Sequence, residues 1–334
     1  MAGAAGLAAQ PGHPVAVGPE EQLFGDYVAS VGTGAGVFGV DVDGEQRPLE
    51  GADDRAGRIY QAAGIAALER RAEEEWYQVR VQFTDWSAAE TIGATTLGPA
   101  LDRLCADEAV AGWWFLRKHP CWRLRLSCAD ATAVDRVLDE LTGIGVISRW
   151  RPTVYEPETA AFGGPTGIDT VHELFCADSA GVLNYLRQDR PGLGRRELSF
   201  LLLSGLMHAA GLDAFERGDV FDRVARLRPA PSDADTERIG KLVENVRLLL
   251  SITDLADSEL FTPSGPVAHA APWLAALHAG GDRLGADAGA GRLDRGLRAI
   301  LTHVVIFHWN RFGLSATSQG ILARAAAAAL LPRR

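Results

Sequence analysis

Near the C-terminal end of the chain, Leu297, Leu301, Val304, His308 and Arg311 recur at helical spacing, and His303, Phe307 and Asn310 form a second stripe beside them. A lone inward histidine is more often a satisfied core group than a catalyst. Histidine, asparagine and arginine together are costly to bury without partners, so His308, Asn310 and Arg311 are candidates for acid–base work. A second cluster is the segment Tyr155-Glu156-Pro157-Glu158-Thr159-Ala160-Ala161-Phe162-Gly163-Gly164. Tyr155 and Glu158 supply a proton donor and an acceptor, and a double glycine allows a tight turn with close backbone approach of a ligand; an ordinary turn would read the same way. In Cys121 to Ser127, strict alternation puts Arg123 and Arg125 on one face and Trp122, Leu124 and Leu126 on the other. Arg117 and Lys118 on the partner strand are expected nearby. Three or four cations on one sheet face suit an anionic partner such as an acidic peptide segment, with a solvated edge of surface ion pairs as the plain alternative.

Two further patterns carry little. Gly34-Ala35-Gly36-Val37-Phe38-Gly39 fits GxGxxG, but a strand-like VDVDGEQRP follows where a nucleotide site needs a helix, so a Gly-rich hairpin is expected. His172-Glu173 begins an HExx pattern, but Cys176 stands where a zinc protease needs histidine. It reads better as the first turn of a helix, with Asp169 and Glu173 at the positive end of the dipole.

The elements that must position these groups divide the chain. Residues 1–20 are low-complexity and read as a disordered tail, and 21–75 as an extension of uncertain structure with a turn at Asp43-Gly44. From Trp76 the pattern sharpens. WYQVRVQF alternates as a strand, Ala88 to Leu104 is helical, VAGWWFLR and CWRLRLS are strands joined at His119-Pro120, and a helix (Ala131 to Leu141) and a strand (Val146 to Tyr155) follow. The order β-α-β-β-α-β is that of a ferredoxin-like sandwich. After Gly163-Gly164-Pro165 the pattern is helical, near 168–188, 196–210, 214–226, 234–251, 271–284, 292–309 and 316–330, with Gly280 to Gly291 expected as an exposed loop. The fold class is α+β, a sheet half (76–165) followed by a helical half (166–330) within one catalytic domain spanning 76–330.

Composition removes several classes. With 334 residues, 47% of them hydrophobic, the chain can fill a substantial core. A net charge of -10 argues against DNA, tRNA or an anionic membrane as the main partner. Four cysteines without a CxxC pair suit a reducing compartment, and no apolar run reaches membrane-spanning length, so a cytoplasmic protein is expected.

Four segments in order, WWFLRKHPCWRLRL, YEPETAAFGG with HELFCADS, RRELSFLLLSGLMHAAGLDAFERGDVFDRVA and HVVIFHWNRFGLS, resemble the thiopeptide-type bacteriocin biosynthesis family, which is similar to the C-terminal elimination domain of lantibiotic dehydratases. Glutamate elimination in that family implies an arginine just before the aromatic of the glycine turn and a histidine four before the asparagine of an HxxxNR pattern. Here those places hold Ala161 and Ile306, which can neither clamp a carboxylate nor move a proton. The AFGG form of the glycine turn resembles the other branch, the pyridine synthases of thiopeptide pathways. It implies a formal aza-[4+2] cycloaddition of two dehydroalanines in a precursor peptide, with loss of water and leader, and no metal or other cofactor. Tyr155 and His308 are expected to move the amide proton, Asn310 and Arg311 to polarise the amide, and Glu158 with His308 to assist the departures. Arg117, Arg123 and Arg125 are expected to dock an acidic leader, and Phe162, Gly163, Gly164, His172 and Trp309 to line the peptide groove. Dehydratase subunits of the same pathway are possible partners. Rival readings are the glutamate-eliminating half of a split dehydratase, a non-catalytic peptide-binding subunit, and an enzyme dependent on aminoacyl-tRNA.

Overall fold

The computed structural model describes residues 38–40, 46–48, 58–59, 63–64, 75–252, 255 and 257–332. The chain divides into two compact units, residues 1–63 and 64–334. In the first, β1 (Phe38–Val40) pairs antiparallel with β2 (Gln46–Pro48). A strand, not a helix, thus begins within the GxGxxG motif at Phe38, as a hairpin requires and a phosphate cradle does not. The expected tail over 1–20, the Asp43-Gly44 turn and most of the 21–75 extension lie outside the described residues.

In the second unit, β3 (Trp76–Phe83), β4 (Gly112–Lys118), β5 (Cys121–Ser127) and β6 (Ile147–Thr153) form one antiparallel sheet in the order β4-β5-β3-β6. That order is the ferredoxin-like topology. Between β3 and β4 the chain runs through α1 (Ala89–Ile92), a π turn (Gly93–Leu97) and α2 (Gly98–Ala106); α3 (Ala131–Gly143) links β5 to β6. The sheet has two unlike faces because side chains alternate. One carries Val79, Val81, Phe83, Phe115, Trp122, Leu124 and Leu126, all buried. Trp122 stacks on Phe115 at 4.3 Å on this side, and Trp150 of β6 donates its indole N–H to Asp139 of α3. The other face is polar and its register decides what meets there. Trp114, Arg125, Gln78 and Thr153 are direct partners across β4, β5, β3 and β6, and the next row is Leu116, Arg123, Arg80 and Arg151.

The remainder is helical: α4 (Gly164–Leu186), α5 (Arg195–Ala209), α6 (Ala214–Arg226), α7 (Asp233–Leu250), α8 (Ala271–Gly289), α9 (Leu297–Arg311) and α10 (Ala316–Leu330). The helices α4 and α9 pack on β4, and α9 is buried on nearly every side, as an all-round apolar sequence dictates. The result is an α+β fold. Two expectations shift. Gly280 to Gly289 continues α8 instead of forming a loop, because the small residues let α8 press on α5: a Cβ on Gly281 would stand 2.4 Å from the Leu206 carbonyl oxygen. Asp169 and Glu173 lie inside α4 and not at its first turn, since the helix already begins at Gly164; Glu173 pairs instead with Arg283. No helix among the described residues is long and apolar enough to cross a membrane.

Candidate active site on the polar face of the sheet

The row Trp114–Arg125–Gln78 and the segment after β6 converge on the third turn of α4, at His172. Tyr155 Oη and His172 Nε2 are 2.8 Å apart. The Arg125 guanidinium lies 4.1 Å from the Trp114 ring centre and 4.8 Å from that of Tyr155. Trp76 closes one side, its ring 4.6 Å from the His172 imidazole and 6.0 Å from Tyr155. Arg125 is only 4% exposed, while Trp76 and Glu158 are half-buried and form the rim.

Electrostatics set the protonation of the group. Burial, reinforced by the positive charge of Arg125, depresses the His172 imidazole to about 3, so it is neutral near pH 7. Burial also raises the Tyr155 hydroxyl, although Arg125 opposes the rise, so the tyrosine stays protonated while a hydrogen bond joins its oxygen to Nε2. Burial lowers Arg125 to about 10, which leaves it a cation. The Glu158 carboxyl is pushed up by burial against the pull of Arg125. A neutral acid, a neutral base and a fixed cation thus share one aromatic-walled niche. Such a set can move a proton at an amide and stabilise charge on its oxygen.

The buried His172 carries a consequence for stability. Because its folded value lies below the ordinary 6.5, the unfolded chain takes up the proton first, and stability present above about pH 6.5 is lost as pH falls toward 3. The loss should approach about 1.4 kcal/mol per pH unit within that window. Urea midpoints measured between about pH 7.5 and 4.5 would show it as a steady decline; a flat midpoint would mean that His172 titrates freely.

The structure separates the residues that the sequence grouped. His308 does not reach Tyr155. Its Nδ1 meets Asp178 Oδ1 at 2.7 Å and its Nε2 meets Ser199 Oγ at 2.9 Å. Arg311 Nε donates to Asp178 Oδ2 at 2.6 Å, Trp273 donates to Oδ1 at 3.1 Å, and Trp309 donates to Ser199 Oγ at 2.7 Å. Between the two centres stand Trp114, Phe175 and the Arg311 guanidinium, the last 4.5 Å over the Phe175 ring. Ser199, His308 and Asp178 have the connectivity of a hydrolase triad, but Ser199 is 0% exposed and its oxygen already accepts from Trp309. This constellation fastens α4, α5, α8 and α9 together.

Asn310 is equally engaged elsewhere. Its side chain accepts from the Arg117 amide and donates to the Arg117 carbonyl, each at 2.9 Å, closing the free edge of β4. Arg117 faces away from Arg123 and Arg125, because β4 register places it opposite Trp122; it pairs with Glu90, which also holds Arg195. Arg125 is a buried part of the niche, while Arg123 is half-buried on the same polar face. Phe162 packs edge-on against Phe175 and Phe307 in the core. Gly163 and Gly164, with φ of +89° and +82°, make the turn that only glycine adopts readily, but protein fills the space beside them. A Cβ on Gly164 would meet Asp294 Oδ2 at 2.1 Å, and one on Gly163 would meet Ile300 at 2.6 Å.

Of the expected site residues, the structure therefore joins Tyr155, Glu158, Arg125 and His172. Gln78, Trp76, Trp114 and Asp178 were not singled out by the sequence. A glutamine at an inward strand position and an aspartate on an apolar helix face are signals of buried polar partners, though neither says with whom.

The model of the family described as lantibiotic biosynthesis dehydratase C-term matches residues 76–330. No curated protein sequence matches. Among solved structures, the chain is similar to the tRNA-dependent lantibiotic dehydratase MibB from Microbispora sp. 107891 (17% identity, TM-score 0.54, 77% of this chain and 28% of that one). It is also similar to TsrL (19%, 0.54, 78% and 100%) and to TbtD, a pyridine synthase from thiomuracin biosynthesis (15%, 0.55, 77% and 97%). The chain thus spans little more than a quarter of the dehydratase but nearly all of TsrL and TbtD, and at these identities the likeness is one of fold.

Proposed function

We propose, from the premise that this chain belongs to the lantibiotic dehydratase C-terminal family, that it is a pyridine synthase acting on a dehydroalanine-containing ribosomal peptide. The observation that carries the reading is the neutral Tyr155–His172 pair beside Arg125 in a niche walled by Trp76 and Trp114. One dehydroalanine reacts through the iminol form of its neighbouring amide, which requires a proton to leave nitrogen and another to reach oxygen. His172 takes the first, Tyr155 gives the second, and Arg125 stabilises charge on the oxygen. Two carbon–carbon bonds then form between the azadiene and the second dehydroalanine. Water is eliminated, and the leader departs as a carboxamide to leave the aromatic ring. Both losses are eliminations, so no external oxidant enters the balance. Glu158, whose carboxyl burial pushes up against the pull of Arg125, gives and takes the protons these steps move. Holding the two alkenes at bonding distance contributes about 7 to 11 kcal/mol of barrier lowering.

Ala161 and Ile306 support this reading over glutamate elimination, since neither side chain binds a carboxylate or carries a proton. Arg123, with Arg80 and Arg151 aligned beside it on the open sheet face, offers the anionic leader a cationic surface. The test is to incubate the protein with a bis-dehydroalanine thiazolyl peptide and follow products by mass spectrometry. A pyridine macrocycle with released leader carboxamide is expected; loss of glutamate from a glutamyl-serine peptide would establish the elimination reading, and tight leader binding without product would establish a binding subunit.

A further inference from the structure

Three polar groups around the niche have buried atoms with no partner in the protein: Gln78 Oε1, Arg125 Nε and Nη1, and Glu158 Oε2. Gln78 and Arg125 are direct neighbours across β3 and β5, and Glu158 lies within electrostatic reach of Arg125. The orientation of the Gln78 amide is set by its surroundings. Its Nε2 donates to Thr153 Oγ1 at 2.9 Å and to the Val154 carbonyl at 2.6 Å, so a flipped amide would bring two oxygens together. Oε1 must therefore be the end that is left without a donor. Buried groups are rarely left so, and a concentration of them beside a proton-transfer pair calls for a bound group.

The pattern specifies that group. Arg125 presents donors without acceptors, while Gln78 and Glu158 present acceptors without donors, and the two sets do not satisfy one another. A carboxylate would answer Arg125 but would press negative charge on Gln78 Oε1 and Glu158. An ammonium would answer the acceptors and oppose Arg125. A secondary or primary amide answers both, with its carbonyl on Arg125 and its N–H on Gln78 Oε1. We propose that the niche binds a backbone amide of the peptide substrate in this way, which makes Gln78 a substrate-binding residue that selects amide over carboxylate. The proposal rests on the reading of the chain as an enzyme of modified peptides. The half-buried rim of Trp76 and Glu158 is where the peptide would enter.

The test is a ligand series: one N-acyl-N-methyl-dehydroalanine, whose internal amide carries no N–H, ended as primary amide, methyl ester or free acid, titrated calorimetrically into the wild-type protein. The ester keeps the carbonyl and replaces the N–H with a lone pair. The amide is expected to bind about tenfold or more tightly than the ester, and more tightly than the acid. In Gln78→Met, which removes the acceptor at similar volume, amide and ester should bind alike. Equal binding of amide and ester to the wild type would overturn the proposal, because a water molecule then suffices to bridge the orphaned atoms. So would tightest binding of the acid, a preference that survives Gln78→Met, or no binding of any form. Should Gln78→Met fail to fold, the wild-type series decides by itself. Because affinity is read and not turnover, a protein that prefers the amide yet forms no pyridine would refute the proposed reaction and leave this site standing.

Discussion

Tyr155→Phe is expected to reduce single-turnover ring closure by a hundredfold or more while the chain stays folded. The substitution removes one oxygen. The phenyl ring keeps its contacts with Trp76 and Trp114, at 6.0 and 5.9 Å between ring centres, so the aromatic wall survives. What is lost is the hydroxyl hydrogen-bonded to His172, which would give its proton to the amide oxygen as the iminol forms. The stability cost of that hydrogen bond is about 1 kcal/mol, small beside the 5–15 kcal/mol of an ordinary domain. The chemical cost is larger, because general acid–base catalysis contributes about 10²- to 10⁴-fold. The measurement is product formation at saturating peptide, with peptide affinity determined in parallel. A drop in rate with affinity retained assigns Tyr155 to the chemical step, and an undiminished rate removes it from the mechanism.

Asp178→Ala should cost about 3–5 kcal/mol of folding stability. Asp178 is 2% exposed and accepts from His308, Arg311 and Trp273, which arrive from two other helices. Burial pushes its carboxyl up, but His308 and Arg311 more than offset this and hold it at about 2. Without it, the guanidinium of Arg311, 1% exposed, would be a buried charge with no counterion. A loss of that size approaches the whole stability of many domains, so the variant should unfold at much lower urea. Any fall in its activity should follow the unfolded fraction. A variant as stable as the wild type would show that the Asp178 network holds nothing together, and would return His308 to consideration as a catalytic group.

The contrast between these residues shows how far the sequence reaches. The alternation in WYQVRVQF and CWRLRLS is a local property, since a strand turns over every residue, and it correctly puts Arg123 and Arg125 opposite Trp122 and Leu124. Register is not local. Whether Arg117 joins those arginines depends on which residue of β5 it faces, and the pairing of Lys118 with Cys121 sends it to the other side, onto Glu90. The stripe of His308 and Arg311 along α9 was legible in the same way, and both are buried as the stripe requires. Their partner Asp178 lies 130 and 133 residues away in α4, where no spacing rule connects them.

The double glycine makes the same point in reverse. Its left-handed backbone was readable from composition, but what approaches so closely is Asp294 and Ile300 and not a ligand. By itself, then, the amino-acid sequence determined most element types, though not the glycine-rich end of α8, together with the ferredoxin-like order of the sheet half, the apolar faces and the family resemblance, because all of these rest on periodicity or on segments read in line. Only the tertiary structure decided that Tyr155 belongs with His172 and Arg125 while His308 belongs with Asp178 and Ser199. The physical reason is that a buried polar group takes whichever partner packing brings within hydrogen-bond distance, and that choice is made by the crossing of helices and the register of strands, not by distance along the chain.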